Sequence, residues 1–247
     1  MKSKEVLNNN NEQYHICCKK GDIGRYVILP GDPFRTDIIA KKLDNARLVA
    51  HNREHRTWTG YLDGEMVSVT STGMGGPSTA IAVEELIHCG ADTLIRIGTC
   101  GRVCDESKKN QIGCIINAAI RDEGTTRQYV PIEYPAVANR EIVEILSTTA
   151  KKLGYNFAEG IAHCKDSFYA QHSPESMPIS KELIDKWEIW KNSNVMASEM
   201  ETSTLFIVSL IRKVRAGAIM AYISMNDETI NVLIDSIREL IKRDKKY

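Results

Sequence analysis

The sequence lacks an excess of charge of either sign and any hydrophobic run long enough to cross a membrane. Lys plus Arg and Asp plus Glu both number 32 in 247 residues, so the formal net charge is zero. A balanced chain has no overall field that would favour binding to nucleic acid. A spanning helix needs about 20 consecutive apolar residues, and none is found. We therefore expect neither nucleic acid nor a membrane as a partner.

The sequence also lacks the signs of a secreted protein. Its polar start, MKSKEVLNNNNEQ, has no apolar core of the kind found in signal peptides. The seven cysteines are odd in number and scattered, which indicates reduced thiols in a cytoplasmic protein. Cys100 and Cys104 have a spacing compatible with a metal pair, but no second pair or suitably spaced histidine accompanies them. We expect both to be small, partly buried side chains.

What the sequence does contain is an alternation of strand-like and helix-like segments. Near-continuous apolar runs, typical of strands buried on both faces, occur at 26–30, 66–72, 93–99, 113–120 and 216–224. Helical patterns lie at 33–43, 77–90, 140–154, 200–214 and 230–244. No repeat, low-complexity linker or break in composition divides the chain. We predict a single α/β domain over residues 1–247, with a mixed, largely parallel sheet flanked by helices and a loose segment over residues 1–13.

Two arginines lie in loops or strands where a bound anion would be expected, at the carboxyl ends of predicted strands. In LPGDPFR, Gly31 permits close approach of a ligand, and Arg35 lies in a first helical turn where its charge opposes the helix dipole. In IRIGTCG, Arg96 lies inside an apolar strand, and Thr99 adds a hydroxyl group. The alternatives are a surface position for Arg35 and a structural carboxylate partner for Arg96.

A glycine-rich turn, STGMGGPS at 71–78, joins a predicted strand to a predicted helix. It could cradle an anion or a sugar, or it could simply be a tight turn. It is not a dinucleotide-binding G-x-G-x-x-G motif, and no Gly-Lys-Ser/Thr follows that would make it a P-loop.

Two glutamates flank Met200 in the small, apolar run NVMASEMETSTLF, where a buried helix is predicted to begin. Ionised carboxylates are rarely buried unless a partner holds them. Glu199 and Glu201 are suited to accept hydrogen bonds from paired hydroxyl groups, such as those of a ribose. Together with the anion site, they suggest a nucleotide or nucleoside ligand.

At these residues the sequence resembles the nucleoside phosphorylase family, most nearly its uridine phosphorylase branch, from about His15 to the C-terminal helix. STGMGGPSTAIAVEEL at 71–86 matches the family signature, and PGDPFR, RIGT, DSFYAQH and EMETSTLF follow in the family's order and spacing. The resemblance implies that inorganic phosphate, as co-substrate, cleaves a nucleoside such as uridine to uracil and ribose 1-phosphate without an organic cofactor. It also implies a homo-oligomer, commonly a hexamer of three dimers, with sites shared across the dimer interface.

The resemblance further implies a role for each matching residue, with Arg96, Arg35 and Glu201 expected to carry catalysis. Phosphate would be bound by Gly31, Arg35, Arg96, Thr99 and, lent from a neighbouring subunit, Arg53. Ribose would be held by Met200, Glu201, the supporting Glu199 and, across the same interface, His15. The base would contact Phe168 and Gln171. A potassium ion, carried by some uridine phosphorylases, would match Glu54, the Met74 carbonyl and Ser78.

The sequence departs from the uridine phosphorylase pattern around the base. Ser173 stands where an arginine usually follows the glutamine, and Asn226-Asp227 replaces a more basic strand end. In purine-cleaving relatives a strand-end acid protonates N7, and Asp227 lies near that position. A helix cap or an exposed turn carboxylate is the alternative for Asp227. The segment between the last strand and the C-terminal helix is also unusually short.

Four functions therefore remain open, with pyrimidine phosphorolysis preferred. A purine nucleoside phosphorylase is favoured by Asp227. A hydrolytic nucleosidase is disfavoured by Arg35 and Arg96, because water needs no paired arginines. A nucleoside-binding paralogue with weak or no catalysis is suggested by the missing arginine at Ser173.

Overall fold

The predicted alternation of strands and helices is present in the computed structural model, which describes residues 3–103 and 110–246. Cys104 lies outside the described residues. The strands are β1 (Tyr26–Leu29), β2 (Asp44–Asn52), β3 (His55–Leu62), β4 (Glu65–Thr70), β5 (Thr93–Arg102), β6 (Gly113–Asp122), β7 (Ala136–Val137), β8 (Phe157–Lys165), β9 (Ala197–Glu199) and β10 (Arg215–Tyr222). The helices are α1 (Pro33–Ala40), α2 (Gly76–Cys89), α3 (Arg140–Lys152), α4 (Phe168–His172), α5 (Ser180–Asn192), α6 (Thr202–Arg212) and α7 (Asp227–Asp244).

The central sheet closes partly on itself. Strand β10 pairs in parallel with β5 and antiparallel with β6, and β6 continues through β8 and β9 back to β5. From β5 the sheet extends through β1, β4, β3 and β2, and β7 pairs with β6. Strands β1, β4, β5 and β10 are mutually parallel where they pair, so their carboxyl ends meet at one edge. Ligand sites of α/β sheets are found at such an edge.

Helices cover both faces of the sheet and enclose two apolar clusters. One cluster contains Leu86 of α2 and Phe206 of α6, together with Leu94 of β5. The other contains Ile142 of α3 and Leu233 of α7 on the opposite face. This arrangement confirms the predicted α/β fold with a mixed central sheet flanked by helices.

The helices that border the strand ends begin with local signals of the expected kind. The Asp32 carboxylate caps α1 by accepting the Phe34 N–H at 2.8 Å, and Pro33 occupies the first turn. Asn226 caps α7 by accepting the Thr229 N–H at 2.9 Å. Helix α2 ends at Gly90, whose φ of 113° requires glycine.

Two sequence expectations change in the structure. The helix predicted from residue 200 begins at Thr202, because Glu199 completes β9 and Glu201 lies in the turn before α6. The helix predicted from residue 230 begins at Asp227, directly after the cap. The loose segment over residues 1–13 stays a prediction, although the Ser3 hydroxyl donates to Glu84 at 2.7 Å and Leu7 forms a bridge with Gln13. Across residues 3–103 and 110–246, no helix is long and apolar enough to span a membrane.

Candidate active site

A cavity of about 680 Å³ opens at the carboxyl ends of the parallel strands. It brings together residues from seven separate stretches of the sequence. Ten of the predicted site residues line it: Gly31, Arg35, Glu54, Met74, Arg96, Thr99, Phe168, Glu199, Met200 and Glu201.

One buried cation in the wall of this cavity is Arg96, whose exposed fraction is 4%. Its Nε donates to Glu199 Oε2 at 3.0 Å, and its Nη2 donates to Glu201 Oε2. Its Nη1 is buried and has no hydrogen-bond partner among the described residues. Nη1 lies 3.9 Å from the point that a Cβ on Gly31 would occupy. The guanidinium therefore has carboxylate partners and also a remaining donor on the side of the Gly31 loop.

The two glutamates have different surroundings. Glu199 accepts the N–H groups of Glu201 and Thr202, both at 2.9 Å, and also a hydrogen bond from the Cys164 thiol. Burial opposes ionisation, but Arg96 and these hydrogen bonds lower the pKa of Glu199. Glu199 thus orients Arg96 and satisfies the first N–H groups of α6.

Glu201 lies closer to the glycine-rich turn. Its Oε1 accepts the Gly75 N–H at 2.6 Å, and its Oε2 accepts from Arg96. Burial raises the pKa of Glu201, opposed by Arg96 and reinforced by the charge on Glu199. Each carboxylate oxygen has a second lone pair, so Glu201 can still accept hydrogen bonds from ligand hydroxyl groups.

Arg35 is a second cation at the cavity, and it is far less constrained. Its side chain is 29% exposed, and its Nε lies 3.9 Å from Asp32 Oδ2. The Gly31 and Gly73 loops are joined by a hydrogen bond from Gly73 N to Gly31 O of 3.0 Å. Thr99 is partly exposed beside them. Two guanidinium groups and a hydroxyl thus line the same cavity, a set suited to a phosphate dianion.

Five predicted site residues do not line this cavity: His15, Arg53, Ser78, Gln171 and Asp227. The His15 Nδ1 lies 2.6 Å from Glu85 Oε1, and Arg53 is exposed in the turn between β2 and β3. Asp227 is exposed in the first turn of α7, and it borders a separate surface pocket that Arg35 also lines. Its surroundings match the exposed-carboxylate alternative.

Comparison with known proteins agrees with this geometry. Residues 25–242 match the family described as the phosphorylase superfamily. The chain belongs to this superfamily. It is 43% identical to the uridine phosphorylase of Treponema pallidum, over 94% of this chain and 95% of that protein. It is 44% identical to the uridine phosphorylase of Thermococcus kodakarensis, over 85% and 76% respectively. It is 36% identical to the guanosine phosphorylase of Halorubrum lacusprofundi, over 84% and 81%.

The cavity of this phosphorylase-superfamily chain is also lined by exposed apolar side chains. Phe168 is half-exposed, with its ring centroid 4.2 Å from that of His172. Met200 and Ile223 lie at the same cavity, and Ile223 is 94% exposed. The planar apolar ring of Phe168 is suited to contact a nucleobase.

Gln171 lines a neighbouring cavity of about 340 Å³. Its Oε1 accepts from the Ser198 hydroxyl at 2.7 Å. Lys165, which sequence reasoning missed, lines both cavities. The available signal was a lysine that directly precedes the DSFYAQH motif.

Glu54 and Ser78 meet below the glycine-rich turn. The Ser78 hydroxyl lies 2.7 Å from Glu54 Oε1 and 2.5 Å from the Thr72 carbonyl oxygen. The hydroxyl has one proton, so it can donate to only one of these two oxygens. A Cβ on Gly73 would lie 2.6 Å from Glu54 Cγ, so glycine is required for this packing. The cluster is a set of oxygen donors adjacent to Met74.

Proposed function

We propose that this protein is a nucleoside phosphorylase that converts uridine and inorganic phosphate to uracil and ribose 1-phosphate. The observation that carries the proposal is the buried Arg96, which is held by two carboxylates and retains an unpaired Nη1 on the side of Gly31. The similarity to proteins named uridine phosphorylase supports the choice of nucleoside.

In the proposed reaction the nucleophile is phosphate, so no Ser-His-Asp or Cys-His triad is needed. An oxygen of phosphate forms a bond to C1′ of the ribose while the bond from C1′ to N1 of the base breaks. The bonding electron pair leaves with the base, which takes up a proton to become uracil. Positive charge on the sugar is stabilised by the phosphate dianion, and negative charge on the base is stabilised by hydrogen-bond donors.

The residues of the cavity divide by role along its length. Arg35, Arg96, Gly31 and Thr99 bind phosphate and fix it relative to C1′, which removes much of the entropic barrier. Glu201 accepts hydrogen bonds from the 2′- and 3′-hydroxyls, with Met200 against the sugar and Glu199 as support. Phe168 packs on the base, and the Gln171 amide, whose Nε2 lies 3.9 Å from the Cβ position of Gly101, binds the edge of the base.

His15 and Arg53 serve a neighbouring subunit in this proposal. Both lie away from the cavity of their own chain, and Arg53 is exposed. The proposed assembly is a homo-oligomer of dimers, three in a ring, in which each subunit lends these two residues to its partner. The free thiols of Cys17, Cys18, Cys89, Cys100 and Cys164 accord with a cytoplasmic setting.

The oxygen cluster of Glu54, Ser78 and the Met74 carbonyl fits a potassium ion, because carboxylate, hydroxyl and carbonyl oxygens suit hard cations. A bound cation would neutralise Glu54 and stabilise the glycine-rich turn. Replacing KCl by choline chloride is then expected to lower activity or thermal stability of the native protein, and Glu54→Gln is expected to abolish this difference. Equal behaviour in both salts would contradict the potassium proposal.

A substrate panel tests the main proposal. The purified protein is incubated with uridine or with inosine, each with and without phosphate, and free base is measured. We expect phosphate-dependent release of uracil. Release of uracil without phosphate would indicate hydrolysis, and binding without product would indicate a nucleoside-binding paralogue.

A purine nucleoside phosphorylase is the second candidate, favoured by the similarity to a guanosine phosphorylase. It predicts faster cleavage of inosine than of uridine in the same panel. If Asp227 acts as an acid towards the purine, Asp227→Asn would depress cleavage of inosine and leave cleavage of uridine unchanged.

A further inference from the structure

Lys165 is a buried lysine at the wall of the cavity of about 680 Å³, the nucleoside cavity of the proposed function. It is the last residue of β8, and 7% of its surface is exposed. It borders both the nucleoside cavity and the neighbouring cavity that contains Trp187 and Trp190. A lysine is rarely buried without a partner, so its hydrogen bonds decide what it does.

The Lys165 ammonium is incompletely paired. Its Nζ donates to Ser198 Oγ at 2.9 Å. No carboxylate of residues 3–103 or 110–246 forms an ion pair with it, and an ammonium has three N–H donors. Burial lowers the pKa of Lys165, opposed by the nearby charges of Glu199 and Glu201. Two donors thus remain for a group that enters the cavity.

The neighbouring hydrogen bonds fix the polarity of this wall. Ser198 accepts from Lys165, because an ammonium can only donate. Its own proton is then directed to Gln171 Oε1 at 2.7 Å, a shorter contact than that of 3.1 Å to His163 Nδ1. The amide nitrogen Nε2 of Gln171 lies 3.9 Å from the Cβ position of Gly101, a residue of the nucleoside cavity. Lys165 and Gln171 therefore both present N–H donors at this wall.

Ser173, by contrast, does not replace the hydrogen-bond donor that an arginine at its position would offer to the base. Its hydroxyl lies 3.1 Å from Glu175 Oε1, and it lines neither cavity. Lys165 is a cation that is linked to Gln171 through the Ser198 hydroxyl.

Building on the proposed function, we propose that Lys165 is a base-recognition residue of this enzyme. Its ammonium donates to a carbonyl oxygen of the base, and the Gln171 amide donates to a second one. Negative charge gained by the departing base is spread onto these oxygens, where a cation stabilises it. A base with carbonyl groups on both sides of N3, such as uracil, can accept hydrogen bonds from both Lys165 and Gln171. If an amino group replaced one of these carbonyls, its N–H groups would face an N–H donor of the protein and that hydrogen bond would be lost.

The first test compares Lys165→Met, Lys165→Arg and the control Lys191→Met, which removes a lysine on the exposed surface of α5. Lys165→Met is expected to lower kcat/KM for uridine by about 100- to 1000-fold with little change in the KM for phosphate. Lys165→Arg is expected to recover part of this loss, and Lys191→Met is expected to match the native protein. Unchanged kcat/KM in a folded Lys165→Met protein would overturn the proposal.

A readout of leaving-group charge separates recognition of the base from a purely structural role. The base of 5-fluorouridine is more acidic and needs less stabilisation as it departs. Lys165→Met is therefore expected to lose less activity on 5-fluorouridine than on uridine. An equal loss on both substrates would assign Lys165 a structural role and overturn the proposal.

The native protein provides a test that does not depend on folding of a variant. With phosphate present, we expect kcat/KM for cytidine to be at least about 100-fold below that for uridine, because the 4-amino group meets a donor. Comparable cleavage of cytidine would overturn the proposed donor wall. Absence of phosphate-dependent uracil release from the native protein would instead contradict the proposed function itself.

Discussion

Arg96 and Arg35 differ as single residues although both are expected to bind the same anion. Arg96 is buried and neutralises two buried carboxylates, so it contributes to the fold as well as to the site. Arg35 is partly exposed and has only a long contact with Asp32. We therefore expect substitution of Arg96 to lower both stability and activity, and substitution of Arg35 to lower activity alone.

We expect Arg96→Met to lower the free energy of unfolding by about 3–5 kcal/mol and to abolish activity, because it leaves two buried carboxylates without their cation. Arg35→Met is expected to change stability by less than about 1 kcal/mol and to raise the KM for phosphate. Urea unfolding and phosphate titrations measure the two effects. A stable Arg96→Met protein, or an Arg35→Met protein with native phosphate affinity, would contradict this division.

Residue identities at the site could be predicted from the sequence, but their partners could not. For Arg96 the sequence admits either a carboxylate partner or a bound anion. In the structure both are possible, because Nε and Nη2 donate to carboxylates and Nη1 has no partner among the described residues. Lys165 could not be recognised from a sequence motif, because its proposed role depends on a contact with Ser198, which is distant in the sequence. Pairings of this kind depend on how β8 and β9 lie side by side.

At the scale of elements, the C-terminal helix is fastened to the sheet by an ionic contact at its last turn. Asp244 accepts hydrogen bonds from Arg215 Nη1 at 2.9 Å and from the Tyr26 hydroxyl at 2.6 Å. These residues belong to α7, β10 and β1 respectively. The Arg215 hydrogen bond lowers the pKa of Asp244, with burial opposing it and Tyr26 assisting.

A lowered native pKa makes this contact dependent on pH in a defined direction. Its stabilisation is complete above the unfolded pKa of about 3.9 and is lost as the pH falls through the native pKa. We expect Asp244→Asn to cost about 1.5–3 kcal/mol at pH 7 and progressively less below about pH 4. Urea unfolding at several pH values measures this difference. The exposed Asp235→Asn, on the same helix, serves as control, and a cost that is independent of pH would refute the argument.

The strands that were predicted are largely buried, whereas two of the elements that were missed, β2 and α5, contain no fully buried residue. Strand β1 is buried throughout, and its apolar run was visible in the sequence. Strand β2 reads DNARLVAHN, has no buried residue and lies at the end of the sheet, so tertiary pairing rather than hydrophobicity defines it. Helix α5 likewise has no fully buried residue. Periodicity of apolar residues detects only elements that need a core.

At the scale of the whole molecule, the cavity of one chain is not lined by all of the predicted site residues. His15 and Arg53 lie outside the nucleoside cavity, and the connection from β10 to α7 covers only residues 223–226. A site that is completed across an interface cannot be derived from apolar patterns within one chain. It can be tested by mixing subunits.

Two variants with separate defects allow that test. Arg35→Met impairs the cavity of its own chain, and Arg53→Met impairs what the chain is proposed to lend to its partner. At phosphate concentrations well below the raised KM, each variant alone is expected to be nearly inactive. When the two are unfolded together and refolded at equal ratio, half of the dimers should be mixed, and each mixed dimer has one site with both arginines intact. About a quarter of the native activity is therefore expected from the mixture. Recovery limited to the average of the two separate variants would mean that Arg53 does not act across an interface.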